Sequence, residues 1–222
     1  MEQAVILEKV KEALRYNKMA YDAVRKGFRR GMSEKDVKAL ITSACGNIFF
    51  TGDFVGGARS GEVEGEATDY ILREGDTLIL DLQFQYEGVW TDTTRTFFIG
   101  MPDEEVREVY DMVCRAKKAG EAVLKEGVRA CEVYDAVRTA FSPYEGMFPH
   151  HAGHLFGTEP MMQPQLLPDK DGVLKTGDLV TLEPGLYPEG RFGIRVEDNY
   201  VITQSGCCNL FDYSIELKDF VL

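Results

Sequence analysis

The sequence predicts an α+β fold: two copies of a helix-helix-strand-hairpin unit, about residues 1–100 and 101–222, merge their strands into one curved, mostly antiparallel sheet covered by helices. Two observations carry this. A pair of amphipathic helical stretches followed by β-rich segments occurs twice along the chain. The letters repeat as well: the segment from Gly75 and Asp76 through Leu80 to Asp81 matches the segment from Gly177 and Asp178 through Leu182 to Glu183, each ending in a carboxylate. The helix entry from Gly31 to Val37 echoes that from Gly127 to Val133 in the same order.

Taken in order, residues 2–30 carry Ile6, Val10, Ala13, Ala20 and Val24 at helical spacing and form a long amphipathic helix. Ser33 with Asp36 three residues later is an N-cap pattern, and a second helix runs from Glu34 to about Ala44, before Gly46. Residues 77–99 are rich in β-branched and aromatic side chains on either side of Glu87 and Gly88, which predicts a β-hairpin. Pro102 introduces two further helices, about 103–125 and 130–141, and strand signals return at 178–183 and 193–203. No linker or low-complexity stretch divides the chain, so residues 1–222 are expected to form a single domain.

Composition narrows the function. Thirty-seven acidic against 25 basic residues give a net charge of -12, which repels phosphate backbones and anionic lipid; neither nucleic acid nor membrane is an expected partner. No apolar run spans a bilayer and the N-terminal residues mix charges among apolar positions, so a cytoplasmic location is expected. The five cysteines are odd in number and form no CxxC pair, which points to neither a disulfide framework nor a thiolate zinc site.

A two-residue turn at Glu87 and Gly88 pairs Asp81 with Thr94 and places Asp92 one diagonal step away on the same face. In the second half, a three-residue turn centred on Gly190 sets Glu183 opposite Glu197. The pseudo-symmetry brings the two pairs together. Four converging buried carboxylates cannot all stay ionised unaided, and two divalent cations would cancel their charge. His154 is the fifth candidate ligand, and an oxygen-dominated set with one imidazole suits Mn, Fe, Co or Zn.

On these residues the chain resembles the pita-bread metallopeptidases: methionine aminopeptidase, prolidase and aminopeptidase P, with the related amidinohydrolase creatinase. The resemblance rests on the segment Leu80–Thr96 with its two aspartates, on Gly153-His154-Leu155-Phe156-Gly157, and on Thr181-Leu182-Glu183-Pro184-Gly185 followed by Ile194-Arg195-Val196-Glu197-Asp198. The last form is closest to prolidase and aminopeptidase P. The resemblance implies that Asp81, Asp92, His154, Glu183 and Glu197 hold two divalent ions, and that Glu183 moves the proton in amide hydrolysis of a small or dipeptide-like substrate.

Two departures stand out. The family's flanking histidines, which contact the substrate and the tetrahedral intermediate, correspond here to Glu64 and Met161. Neither an ionised carboxylate nor a thioether can donate a hydrogen bond to an oxyanion. Gln83 and Leu155 also replace glycines of the pattern. Glu64 is therefore read either as a solvated loop residue or as a cleft carboxylate that selects an amine-bearing ligand or acts as a base. Met161 is read as adaptable packing or a substrate contact, His150 as a candidate cleft residue, and Arg195 as an anchor for the carboxylates or a holder of a substrate carboxylate. Relatives of the prolidase type carry an additional N-terminal domain; the present sequence starts at their catalytic domain, so an open cleft or a homodimer is expected. A lyase of the same fold and a catalytically inactive binding protein remain alternatives.

Overall fold

The computed structural model describes residues 3–222. Helix α1 (Gln3–Gly27) buries Val10, Ala13, Leu14, Asn17, Ala20, Tyr21 and Val24 along one stripe. It stops short of the expected residue 30, and the expected start at Glu2 lies outside the described residues. Helix α2 (Glu34–Cys45) begins with a reciprocal cap: Ser33 Oγ accepts from Asp36 N at 3.2 Å, and Asp36 Oδ2 accepts from Ser33 N at 2.8 Å.

Strand β1 (Phe49–Gly56) is an element the sequence reading did not contain. It pairs antiparallel with β2 (Thr77–Tyr86), which pairs with β3 (Val89–Phe98) in the predicted register, Asp81 facing Thr94 and Gln83 facing Asp92. Glu87 and Gly88 both have positive φ, the conformation that lets a two-residue turn follow the twist of its strands. The glycine in β1 has a steric cause. A Cβ on Gly52 would lie 1.8 Å from Asp81 O, and one on Gly153 would lie 2.1 Å from Thr181 O, with φ of 152° and 155°. The same close approach thus recurs in both halves, beside the strands that lead into the carboxylates.

Helices α3 (Glu104–Val123) and α4 (Ala130–Ala140) open the second half, with Asp103 capping α3 through Val106 N at 2.9 Å. The strands after them are shorter than expected: β4 (His154–Leu155), β5 (Met162–Gln165), β6 (Leu179–Leu182), β7 (Gly185–Leu186), β8 (Ile194–Arg195), β9 (Asp198–Ile202) and β10 (Cys207–Asn209). The expected three-residue turn at Gly190 is a longer loop between β7 and β8. Pro184 and Pro188, which lack backbone donors, interrupt the ladder there. The register nevertheless runs as expected, with Leu182 facing Asp198 and Gly185 facing Arg195, which sets Glu183 across from Glu197.

The strands are hydrogen-bonded as sheets of three (β1-β2-β3), five (β10-β9-β6-β4-β5) and two (β7-β8) rather than as one continuous ladder. The halves meet at an antiparallel rung, where Glu197 N donates to Thr94 O at 3.1 Å and Thr94 N to Glu197 O at 3.4 Å, and at a parallel bridge between Phe98 and Val221, where Leu222 N donates to Phe98 O at 2.8 Å. One hydrophobic cluster extends through both halves, from Val10 in α1 to Phe220 near the C-terminus. Among the described residues, no helix is long and apolar enough to cross a membrane. The five cysteines are unpaired.

Candidate metal centre

Asp81 and Asp92 project from the same face of the β2–β3 hairpin, while Glu183 follows β6 and Glu197 precedes β9. His154 opens β4, on the far side of the same space. All five are buried, with exposure no greater than the 9% of Asp81. Their polar contacts follow one pattern. Arg195 Nη2 donates to Asp81 Oδ2 at 2.7 Å, Gln83 Nε2 to Asp92 Oδ2 at 2.7 Å, and Thr94 Oγ1 to Glu197 Oε2 at 2.8 Å. The other oxygen of each, Asp81 Oδ1, Asp92 Oδ1 and Glu197 Oε1, is buried without any hydrogen-bond partner. A buried carboxylate oxygen with no donor is costly, and three in one place fit a cation far better than they fit an empty interior.

His154 supports the same conclusion. Its Nδ1 lies 2.9 Å from Leu155 O, a pure acceptor, so Nδ1 donates there and the ring turns its Nε2 inward. That nitrogen lies 3.5 Å from Asp92 Oδ2 and 3.6 Å from Glu183 Oε1, too far for hydrogen bonds yet suited to a shared ion. Burial and then mutual repulsion push the carboxyl pKa values of Asp92 and Glu197 well above the ordinary range. Glu183 behaves differently: burial opposes its charge, but the imidazoles of His151, His154 and His150 outweigh burial and hold it below that range.

The cleft above these groups is lined by Asp81, Asp92, His154 and Glu183 together with Glu64, Met161, His150 and Arg195, so the structure gathers the predicted site residues around one space, with Glu197 buried beneath. Its volume is about 90 Å³, well below the roughly 300–1,000 Å³ of pockets that enclose a ligand. The floor therefore has room for ions and water but not for a larger ligand. Glu64 and Met161 are both exposed at the rim of the cleft, and the Met161 thioether accepts from Gln165 Nε2 at 2.8 Å.

Two of the residues read as substrate contacts are committed elsewhere. Arg195 donates to Asp81, to Tyr187 Oη at 2.8 Å, to Thr94 Oγ1 at 3.2 Å and to Val63 O at 3.1 Å, which makes it an anchor and leaves no fork for a substrate carboxylate. His150 places Nδ1 2.7 Å from His151 O and Nε2 2.9 Å from Tyr187 Oη, so neither nitrogen is free. Burial pushes its pKa down to about 4, keeping the ring neutral. The polarity of the chain is then fixed: Arg195 donates to Tyr187, Tyr187 to His150 Nε2, and His150 Nδ1–H to His151 O.

The sequence reading missed several residues. Tyr187 links His150 to Arg195, and Asp53 lines the cleft with its Oδ2 3.6 Å from Arg195. Asn199 clamps the backbone of Asp92 from the opposite half, its Oδ1 accepting from Asp92 N at 3.2 Å and its Nδ2 donating to Asp92 O at 2.5 Å. Behind Glu197, Asp198 joins Arg95 at 2.7 Å and Lys117 at 2.6 Å, and Arg95 also donates to Glu197 O at 2.7 Å.

Residues 8–204 match the metallopeptidase family M24. The chain belongs to that family. It is 34% identical to the Xaa-Pro dipeptidase of Pyrococcus furiosus over 163 residues, 72% of this chain and 47% of that protein. Over 135 residues it is 42% identical to an uncharacterized peptidase of Methanocaldococcus jannaschii, covering 59% of this chain and 39% of the relative. The crystal structure of X-Pro aminopeptidase from Thermotoga maritima matches with a TM-score of 0.92 at 31% identity, over 97% of this chain and 62% of that one. The fold is the pita-bread fold of this M24 group. The chain spans less than half the length of these two curated relatives.

Proposed function

We propose that this M24 chain is a metal-dependent peptidase that hydrolyses short, dipeptide-like amides, with Xaa-Pro bonds the first to test. The observation that carries the reading is the division of labour within the carboxylates: one oxygen of Asp81, Asp92 and Glu197 is tied to a protein donor, and the other is left free in the interior. Two divalent ions held by Asp81, Asp92, His154, Glu183 and Glu197 would supply Lewis acidity and a water of lowered pKa. Manganese, cobalt, iron and zinc all suit that donor set.

The chain's own residues supply the rest. Thr181 Oγ1 donates to Glu183 Oε1 at 3.2 Å, and Oε2 is the oxygen left to accept a proton. Arg195, backed by Tyr187 and His150, fixes the orientation of Asp81. At the rim, Glu64 faces the substrate's body and favours an amine-bearing or cationic end, or takes a proton from it, while Met161 offers apolar contact. Neither stabilises an oxyanion by hydrogen bonding. Each missing donor typically costs about 100- to 1,000-fold in rate, so turnover is expected to be slow.

A panel of dipeptides that includes Xaa-Pro members, assayed with the chain loaded with Mn, Co or Zn, tests this. Ion-dependent release of free amino acids is the expected result. A chain that binds ions yet cleaves no dipeptide overturns peptidase activity and favours a second reading, to which the histidine-free rim already points: a metal-dependent lyase of the same fold. A chain that binds no ions is a binding protein.

A further inference from the structure

The cleft holds a further imidazole beside the five expected ligands, that of His151. His150 and His151 are adjacent in sequence but differently placed. Both nitrogens of His150 are engaged, one by His151 O and one by Tyr187 Oη. His151 Nδ1 is buried and has no hydrogen-bond partner, although it lies only 3.1 Å from Glu183 Oε1. The distance suits a hydrogen bond, but the direction does not.

That combination fits two donors that share an ion. Ligands about 2.1 Å from a cation stand about 3.0 Å apart at a right angle and about 3.4 Å apart in a tetrahedron, with lone pairs converging on the ion and not on each other. The 3.1 Å between His151 Nδ1 and Glu183 Oε1 and the 3.6 Å between Glu183 Oε1 and His154 Nε2 fall close to this range. Glu183 Oε1 thus stands between the two imidazoles, whose rings are 5.5 Å apart at 85°.

We propose that His151 is a metal ligand, giving the ion position at Glu183 and His154 two imidazole nitrogens, while the position at Asp81 and Asp92 keeps an oxygen-only set. The inference rests on the reading of Glu183 and His154 as ligands. Its consequence is that the two positions differ in chemistry. The nitrogen-rich one selects zinc, cobalt or ferrous iron, and the oxygen-rich one suits manganese or magnesium. The centre would then be a mixed-ion site by construction, sorted by a residue that is absent from the five-ligand pattern.

The test uses the full chain, stripped with chelator and given one equivalent of Zn²⁺, with X-ray absorption at the zinc edge counting imidazoles. Two imidazoles per zinc are expected, and one overturns the inference while leaving the five-ligand centre standing. Failure of the chain to take up zinc at all overturns both, so the two failures are distinguishable. His151→Asn supplies the second measurement. It should reduce the count to one and weaken Zn²⁺ binding, by calorimetry, at least about 10- to 100-fold, the loss typical of even an outer-sphere partner. Mn²⁺ binding should change far less. Equal weakening for both ions would mean that His151 only supports Glu183, and would also overturn the inference.

Discussion

The floor and the rim of the cleft are built from different materials. On the floor, Asp81, Asp92, His154, Glu183 and Glu197 sit on or directly beside paired strands, are buried, and are held by donors from neighbouring strands. At the rim, Glu64 and Met161 sit in loops and are exposed. Under the proposed function, the difference separates two tasks. Holding ions needs donor atoms fixed to within a few tenths of an ångström, which strand registers provide, whereas choosing a substrate needs a surface whose residues can be exchanged without disturbing the core. The departures from the family pattern named above as the replaced histidines fall on the rim.

The largest effect should come from beneath the floor. Arg95 is fully buried and bonds Asp198, Glu197 O and Thr94 O. Arg95→Met leaves buried charge and carbonyls without that donor and should cost about 3–5 kcal/mol by denaturant midpoint. Met161→Leu at the rim should stay within about 0.5 kcal/mol. Equal losses would erase the distinction between the two regions.

The next effect concerns rate. Restoring donors with Glu64→His together with Met161→His should raise dipeptide turnover about 100-fold in kcat/KM with little change in stability. An unchanged rate would mean that the floor, and not the rim, limits the chemistry.

The smallest effect is a pH slope. The folded-state pKa values of Asp92 and Glu197 lie above their ordinary values, first through burial and then through neighbouring carboxylates. The ion-free folded chain therefore binds more protons than the unfolded chain, from the ordinary carboxylate range, about pH 4, upward. Stability conferred at low pH is lost as pH rises through that window. Thermal midpoints in chelator should fall from about pH 5 to pH 8, and midpoints with saturating Mn²⁺ should fall less, because the ions compensate the carboxylates.

Much of this was legible in the sequence because it rests on local arithmetic. Strand alternation and the Glu87–Gly88 turn define the hairpin, and the hairpin places Asp81 and Asp92; the internal repeat then locates Glu183, and the register about Gly190 sets Glu197 opposite it although the turn itself is longer than expected. Short elements were not legible. Strands β4 and β7 have two residues each, too few for any periodicity to show, and β1 is disguised by the glycines that let it pass close to β2. Supporting residues were hidden for another reason. Tyr187, Asn199 and Asp53 matter only because tertiary packing brings them to partners far along the chain, and nothing in their local sequence marks them. Arg195 and His150 were located by their neighbours, but only the structure shows that their donors are already taken.

The rung between Thr94 and Glu197 has a mechanical meaning. Each half contributes acidic groups to the space beside it, and the other backbone contacts across the join, Phe98 and Gly100 with Leu222 and Trp90 with Gly157, lie away from that space along β3 and beyond its ends. Cations seated there would act as rivets, so that chelation would loosen the grip of one lobe on the other as well as silence the chemistry.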